Sequence, residues 1–258
     1  MEKRFTPLRR FKADQLSVQV YSNRLQMGQA ASLDVIARMK ELLKIKEKIR
    51  MIFASAPSQS EFLEALKKAD VDWKRVTAFH MDEYINLSQA TPQSFGQFLR
   101  DHLFDAVKPG EVHFIDGLKD PIEEGRRYSK LLQKAPIDII CLGIGENGHL
   151  AFNDPPVANF QDPNIVKIVE LDPLSRQQQV NDGCFERLSD VPTHALTLTI
   201  PTLMSGHHLY CIVPGPTKKN AVQKALNDSI SSTVPATILR NHPGCVLYLD
   251  QAAYGEDV

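Results

Sequence analysis

Residues 137–156, IDIICLGIGENGHLAFNDPP, begin as an apolar run broken only by Asp138, turn through three glycines and then continue to a histidine and an acid. An uninterrupted apolar strand is buried on both faces, which is typical of parallel sheets covered by helices. Ligands of such sheets bind at the carboxyl ends of the strands. This stretch therefore predicts an α/β fold whose chemistry lies just beyond residue 142.

The rest of the chain alternates between segments with the 3.6-residue apolar period of a helix and short apolar runs typical of strands. Helical spacing is present at residues 17–48, 60–69, 94–104, 121–134 and after the turn at 214–219, and strand-like runs occupy 49–58, 76–87, 112–115, 137–142, 195–200, 208–213 and 244–249. Strands alternating with helices predict a three-layer, mostly parallel, Rossmann-like α/β sheet with helices on both faces. Because repeats, low-complexity segments and linkers are not found, we expect a single domain over residues 1–258.

Composition excludes several classes of partner. The chain has 30 basic and 31 acidic side chains, a net charge of −1, which argues against nucleic acid or a membrane surface as a partner. Its apolar runs fall short of the roughly 18 to 20 residues of a spanning helix, and its first residues are charged, so we expect a cytoplasmic protein. The four scattered cysteines do not have zinc-ligand spacing and are expected to be buried free thiols.

The glycine turn formally satisfies a dinucleotide-binding fingerprint, with Gly143, Gly145 and Gly148 directly after a strand. That fingerprint requires a long helix after the last glycine and an acid about 20 residues further on. Pro155 and Pro156 follow too closely for such a helix. We therefore expect the turn to bring backbone amides, including that of Gly145, close to an anionic or sugar ligand instead.

His149 follows that turn, with Asn147 two residues before it and Asp154 five residues after it. A histidine with hydrogen-bonding neighbours at a strand end can move protons in both directions near neutral pH. A purely structural histidine is the alternative interpretation.

The adjacent acids Asp82 and Glu83 follow the apolar run that starts at residue 76. Adjacent residues of an extended segment face opposite ways, so at most one of the two carboxylates points into a shared site. A partly desolvated carboxylate there can act as a general base on carbon next to a carbonyl. A solvated turn acid is the alternative.

Two further turns have the composition of anion sites. Lys218 and Lys219 follow a glycine and a proline where a helix begins, and a helix start attracts anions. The turn SAPSQS, residues 55–60, supplies hydroxyls from Ser55 and Ser58 after another strand. A surface lysine pair is the common alternative for the first turn.

Six segments in this order resemble the glucosamine-6-phosphate deaminase (isomerase) family, which is related more distantly to 6-phosphogluconolactonases. They are FHMDEYINL, PQSFGQFL, LGIGENGHLAFNDP, VPTHALTLTIPTLM, VPGPTKK and HPGCVLYLD, and the resemblance covers residues 49–250. The motif GHLAFND, residues 148–154, is specific to the deaminase side of the family.

The resemblance implies roles for individual residues. Asp82 matches the base that moves a proton from carbon 2 to carbon 1 of the opened amino sugar, and His149 matches the residue that opens the ring. Asn147 and Asp154 match the supports of that histidine, and Lys218 matches a phosphate-binding lysine. The resemblance implies that the reaction uses no metal and no organic cofactor.

This sequence departs from the family at four places, all of which affect substrate recognition or the support of His149. Asn147 replaces an aspartate of many members, and Asp154 replaces a glutamate. Ser55 and Ser58 are approximate matches to a glycine- and threonine-rich phosphate loop. Gly183 aligns with a phosphate-binding arginine, which Arg176 could replace. Glu83 and Gly145 complete the predicted substrate-binding set.

The resulting hypothesis is an amino-sugar-phosphate deaminase that converts glucosamine 6-phosphate and water to fructose 6-phosphate and ammonia, in N-acetylglucosamine catabolism. Two alternatives remain open at this point: a 6-phosphogluconolactonase-like hydrolase in which His149 activates water, and a non-catalytic sugar-phosphate-binding homologue. Each has a small-molecule sugar phosphate as its partner. Family members use several assembly states, so a homo-oligomer also remains open.

Overall fold

A central eight-stranded sheet carries the fold in the computed structural model, which describes residues 5–255. Its strands, in spatial order, are β1 (Arg9–Ala13), β2 (Leu16–Tyr21), β11 (Cys245–Asp250), β10 (His208–Val213), β7 (Ile139–Leu142), β3 (Ile49–Phe53), β4 (Val76–His80) and β6 (Glu111–His113). All neighbouring strands are parallel except the antiparallel pair β1 and β2. The predicted mostly parallel sheet is confirmed.

Helices cover both faces of this sheet. They are α1 (Arg24–Ile45), α2 (Ser60–Lys67), α3 (Phe95–Leu99), α4 (Asp105–Val107), α5 (Pro121–Gln133), α6 (Pro173–Asn181), α7 (Ile200–Met204), α8 (Lys219–Asn227) and α9 (Gln251–Tyr254), and a π-helical stretch, Arg100–Phe104, joins α3 to α4. Strand β7 shows the two-sided burial directly. Its Ile139 and Cys141 pack in the cluster with α1 and α2, whereas Ile140 and Leu142 pack in the cluster with α5 and α8. The three-layer prediction is therefore confirmed.

A second, three-stranded antiparallel sheet lies beside the first one. It consists of β5 (Asp82–Tyr84), β9 (His194–Leu198) and β8 (Val166–Glu170), in that order. The strand predicted at residues 76–87 is therefore two strands, because the chain passes from one sheet to the other at Met81. The strand predicted at residues 195–200 also belongs to this second sheet, and β8 was not predicted.

The amino-terminal helix is shorter than predicted. Its expected range of 17–48 includes β2, where Val18 and Val20 alternate into the core beside β11. Helix α1 begins only after Asn23, whose side-chain oxygen accepts a hydrogen bond from the Gln26 backbone N–H at 2.9 Å. Of the cysteines, Cys141, Cys211 and Cys245 are buried free thiols as predicted, whereas Cys184 is partly exposed. Among the described residues, no helix is long and apolar enough to cross a membrane.

Candidate active site

A cavity lies where β3, β4, β7 and β10 end at one edge of the central sheet. Each strand leads into a loop or turn that lines this cavity, as expected for a parallel sheet. Six of the ten predicted site residues line it: Ser55, Ser58, Asp82, Gly145, His149 and Lys218.

Asp82 is a buried carboxylate that faces the cavity, and its side chain receives no hydrogen bond from the described residues. It is the first residue of β5, where it pairs with Thr197 of β9. Burial raises the pKa of Asp82 well above its ordinary value, and the neighbouring charge of Glu83 raises it further. A carboxylate with a raised pKa is a stronger base, which suits removal of a proton from carbon.

His149 is anchored through one ring nitrogen, Nδ1. Three oxygens surround that nitrogen: Asn147 Oδ1 at 2.8 Å, Ser175 Oγ at 2.9 Å and Asp154 Oδ1 at 3.1 Å. The Asn147 amide donates to Asp154 Oδ1 at 2.8 Å, and the Ser175 hydroxyl also donates to that carboxylate. All four groups therefore form one hydrogen-bonded cluster, in which Asn147 and Asp154 lie behind the histidine.

The cluster fixes the tautomer of His149. Asn147 Oδ1 also accepts the backbone N–H of His149 at 3.1 Å, so the amide oxygen faces the ring, and Asp154 is a second acceptor. Burial would raise the pKa of Asp154, but the hydrogen bonds from His149, Asn147 and Ser175 outweigh it and hold that pKa below its ordinary value. With Nδ1 carrying a proton toward acceptors, the opposite nitrogen Nε2 is left to exchange protons with a ligand.

Gly145 is required by the close approach of the His149 ring. A Cβ atom at residue 145 would lie 2.1 Å from Cε1, 2.2 Å from Nε2 and 2.3 Å from Nδ1 of that ring. The turn is closed by hydrogen bonds from the Gly145 N–H to the His149 carbonyl and from the Gly148 N–H to the Gly145 carbonyl. Gly148 has a φ of +88°, in the region that favours glycine. These two glycines therefore allow the tight turn that places the His149 ring at the cavity.

Lys218 is a buried cation without a bonded partner. Its side chain is 5% exposed and forms neither an ion pair nor a hydrogen bond with the described residues. Burial lowers the pKa of Lys218, and the more distant charges of Asp182 and Glu146 only partly oppose this effect. The buried Ser55 hydroxyl, which also lacks a partner in the described chain, lines the same cavity. An unpaired ammonium group and a free hydroxyl suit an anionic ligand group.

Two predicted substrate-binding residues do not line the cavity. The Glu83 carboxylate accepts hydrogen bonds from the backbone N–H groups of Tyr84, Phe95 and Gly96 and from the Ser94 hydroxyl, at the start of α3. The Arg176 guanidinium donates to the carbonyls of Leu188 and Val191, both at 2.8 Å. Their hydrogen bonds hold both side chains within the protein, so neither is placed to contact a ligand there.

Helix α6 supplies site residues that the sequence analysis missed. Ser175 bonds to His149 and Asp154, and both Gln178 and Gln179 line the cavity. A helix-start signal was available, because Asp172 caps the helix and Pro173 occupies its first position. Among residues 5–255, no group of three or more His, Cys, Asp or Glu side chains is arranged to hold a metal ion.

The fold and the cavity define a class of protein: an α/β protein with a cavity at the carboxyl edge of its sheet, lined by a buried carboxylate, a hydrogen-bonded histidine and a buried lysine. Comparison with known sequences narrows this class. The profile of the family described as glucosamine-6-phosphate isomerases/6-phosphogluconolactonase matches residues 22–248. The chain belongs to this family.

Individual relatives agree with this assignment. A glucosamine-6-phosphate deaminase of Exiguobacterium sp. is 36% identical over 216 residues, which cover 83% of both chains. A glucosamine-6-phosphate deaminase of Bacillus thuringiensis is 33% identical over 83% of this chain and 80% of its own length.

Solved structures share the whole fold. A monomeric glucosamine-6-phosphate deaminase has a TM-score of 0.85 at 27% identity and covers 92% of this chain and 98% of its own. The 6-phosphogluconolactonase of Thermotoga maritima has a TM-score of 0.76 at 20% identity and covers 91% of this chain and 99% of its own. The second likeness shows a shared fold alone.

Proposed function

We propose that this protein is a glucosamine-6-phosphate deaminase, which converts glucosamine 6-phosphate and water to fructose 6-phosphate and ammonia. The observation that carries the proposal is that a desolvated carboxylate, a histidine of fixed tautomer and an unpaired lysine line one cavity. The deaminases among the relatives support the same activity.

Each group has a step in the proposed reaction. Lys218 and Ser55 hold the phosphate group, and His149 Nε2 moves the proton that opens the sugar ring. Asp82 removes the proton from carbon 2 of the open-chain amino aldehyde and returns it to carbon 1. The resulting imine of fructose 6-phosphate takes up water and releases ammonia. Such a phosphorylated substrate is charged and is retained inside a cell, which supports a cytoplasmic role in amino-sugar catabolism.

The test is ammonia release from a panel of glucosamine, galactosamine and related 6-phosphates. We expect glucosamine 6-phosphate to be the best substrate, and Asp82→Asn to lower kcat by about 10²- to 10⁴-fold without loss of the fold. If the wild-type protein releases neither ammonia nor a ketose phosphate from any of these compounds, the proposal fails.

The same preparations test the lactonase alternative. Acid release from 6-phosphogluconolactone above the spontaneous rate, retained in Asp82→Asn and lost in His149→Gln, would favour a hydrolase in which the histidine activates water. Tight binding of hexosamine phosphates without turnover would instead favour a binding protein.

A further inference from the structure

Two adjacent glutamines of α6 line the cavity but have different partners. Gln178 accepts the Glu146 backbone N–H at 2.9 Å and donates to Asp182 Oδ2 at 3.3 Å. Gln179 is only 8% exposed, and its side chain makes no hydrogen bond with the described residues. The Gln179 amide therefore lines the cavity with its hydrogen-bonding capacity unused by the described residues, so it is the polar group of α6 that is free to bond to a ligand.

The position of Gln179 along α6 locates it within the cavity. Ser175, one helical turn earlier on the same face, contacts His149. Asp182, at the carboxyl end of the helix, is close enough for its charge to influence Lys218. Gln179 lies about 6 Å along the helix from Ser175 and lines the same cavity as His149 and Lys218.

The charges of the cavity favour a neutral donor at this position. Lys218 is the only lysine or arginine among the described residues that line the cavity. Asp182 and Glu146 place negative charge at longer range from it. A phosphate group has three peripheral oxygens that accept hydrogen bonds, so one lysine leaves oxygens to be bonded by uncharged groups.

On the basis of the proposed function, we propose that Gln179 is a specificity-determining residue whose amide N–H group donates to the phosphate that Lys218 holds. The residue would discriminate phosphorylated from unphosphorylated sugars while adding no charge to the cavity. Hydrogen bonds to a charged group contribute more than those between neutral groups, so its loss should affect binding of the phosphate ester selectively.

Calorimetric titration with glucose 6-phosphate tests this assignment, because the compound carries the phosphate but has no amino group to lose. We expect Gln179→Leu to weaken binding by about 10-fold, and Gln179→Glu, which has nearly the same shape, to weaken it more because its carboxylate repels the anion. Gln177→Leu is the matched control: Gln177 is exposed on the same helix, and its side chain bonds only to Asn181. Its affinity should stay within about twofold of the wild type.

Three results would overturn the assignment: no measurable binding of glucose 6-phosphate by the wild type, unchanged affinity in both Gln179 variants, or an equal loss of affinity for glucose. Circular dichroism and thermal melting establish that each variant is folded. The titration does not depend on turnover. A wild type that binds glucose 6-phosphate but releases no ammonia would therefore contradict the proposed deaminase and leave the role of Gln179 standing.

Discussion

Asp82 and Glu83 are adjacent carboxylates that face opposite directions, one into the cavity and the other into the start of α3. Glu83 accepts hydrogen bonds from three backbone N–H groups and the Ser94 hydroxyl. Glu83→Ala leaves these buried donors without a partner, so we expect a loss of about 2 to 4 kcal/mol in the free energy of unfolding. Urea denaturation measures it, with the exposed Glu123→Ala as control. A loss below about 0.5 kcal/mol would contradict this structural role.

Asp82 should lower stability at neutral pH. Its folded pKa lies above the ordinary value near 3.9, so the folded state binds the proton more tightly than the unfolded state does. The free energy of unfolding therefore falls as the pH rises from about 4 toward the folded pKa. We expect Asp82→Asn to melt at a higher temperature than the wild type at pH 7, with a smaller difference at pH 4. A difference independent of pH would refute this account.

Asn147 should not tolerate aspartate. The Asn147 amide donates to Asp154 Oδ1 at 2.8 Å, so Asn147→Asp puts two carboxylate oxygens at this distance unless they share a proton. The shared proton raises the pKa of the pair in the folded state, and the variant loses stability as the pH rises above about 4. We expect its melting temperature to fall further below that of the wild type at pH 8 than at pH 5. Equal differences at both pH values would argue against the contact.

The buried charge of Lys218 should lower the stability of the folded protein and also bind an anion. Burial lowers the pKa of Lys218 in the folded state below the ordinary value near 10.4, so the charged form destabilises the folded state at neutral pH. The free energy of unfolding therefore rises as the pH increases from the folded pKa to the ordinary value, where the lysine loses its charge in both states. We expect Lys218→Met to melt above the wild type at pH 7 in phosphate-free buffer. Added inorganic phosphate should stabilise the wild type and the exposed control Lys219→Met, but not Lys218→Met. Stabilisation of all three proteins by phosphate would place the anion elsewhere.

Gly145→Ala should displace the His149 ring, since the new Cβ would lie 2.1 Å from its Cε1 atom. We expect kcat for ammonia release to fall by about 10²-fold or more, because a displacement of about 1 Å is enough for such a loss. The control is Gly125→Ala in α5, where the nearest atom to a new Cβ is 3.6 Å away. That variant should keep its activity and gain about 0.5 to 1 kcal/mol of stability. Comparable activity in both variants would show that the ring has room to move.

The sequence predicts the parts of this protein whose apolar pattern is unambiguous. The run at residues 139–142 could only be a strand buried on both faces, and β7 has that position between β10 and β3. The loops that follow β7 and β4 lie at the same edge of a parallel sheet, so His149 and Asp82 could be placed near each other. Opposite orientation of Asp82 and Glu83 follows from the alternation of an extended chain.

Helix α6 could not be predicted in the same way. Its buried positions are Ser175, Gln178 and Gln179, so the face toward the protein is polar and the apolar period of a helix is absent. The second sheet was missed for a related reason, because a local pattern identifies a strand but does not say which sheet it joins. Ser175 lies in such a segment and bonds to His149 and Asp154. Its place in the site could be recognised only from the three-dimensional structure.

The polar buried face of α6 also bears on how a ligand reaches the cavity. The buried residues of this helix are polar, and water can replace the hydrogen bonds of Ser175 and Gln178 nearly one for one. We therefore expect the helix to open locally at a lower free energy than the central sheet needs to unfold. Entry and release can then proceed by local opening while Asp82 and Lys218 stay in place on the rigid scaffold.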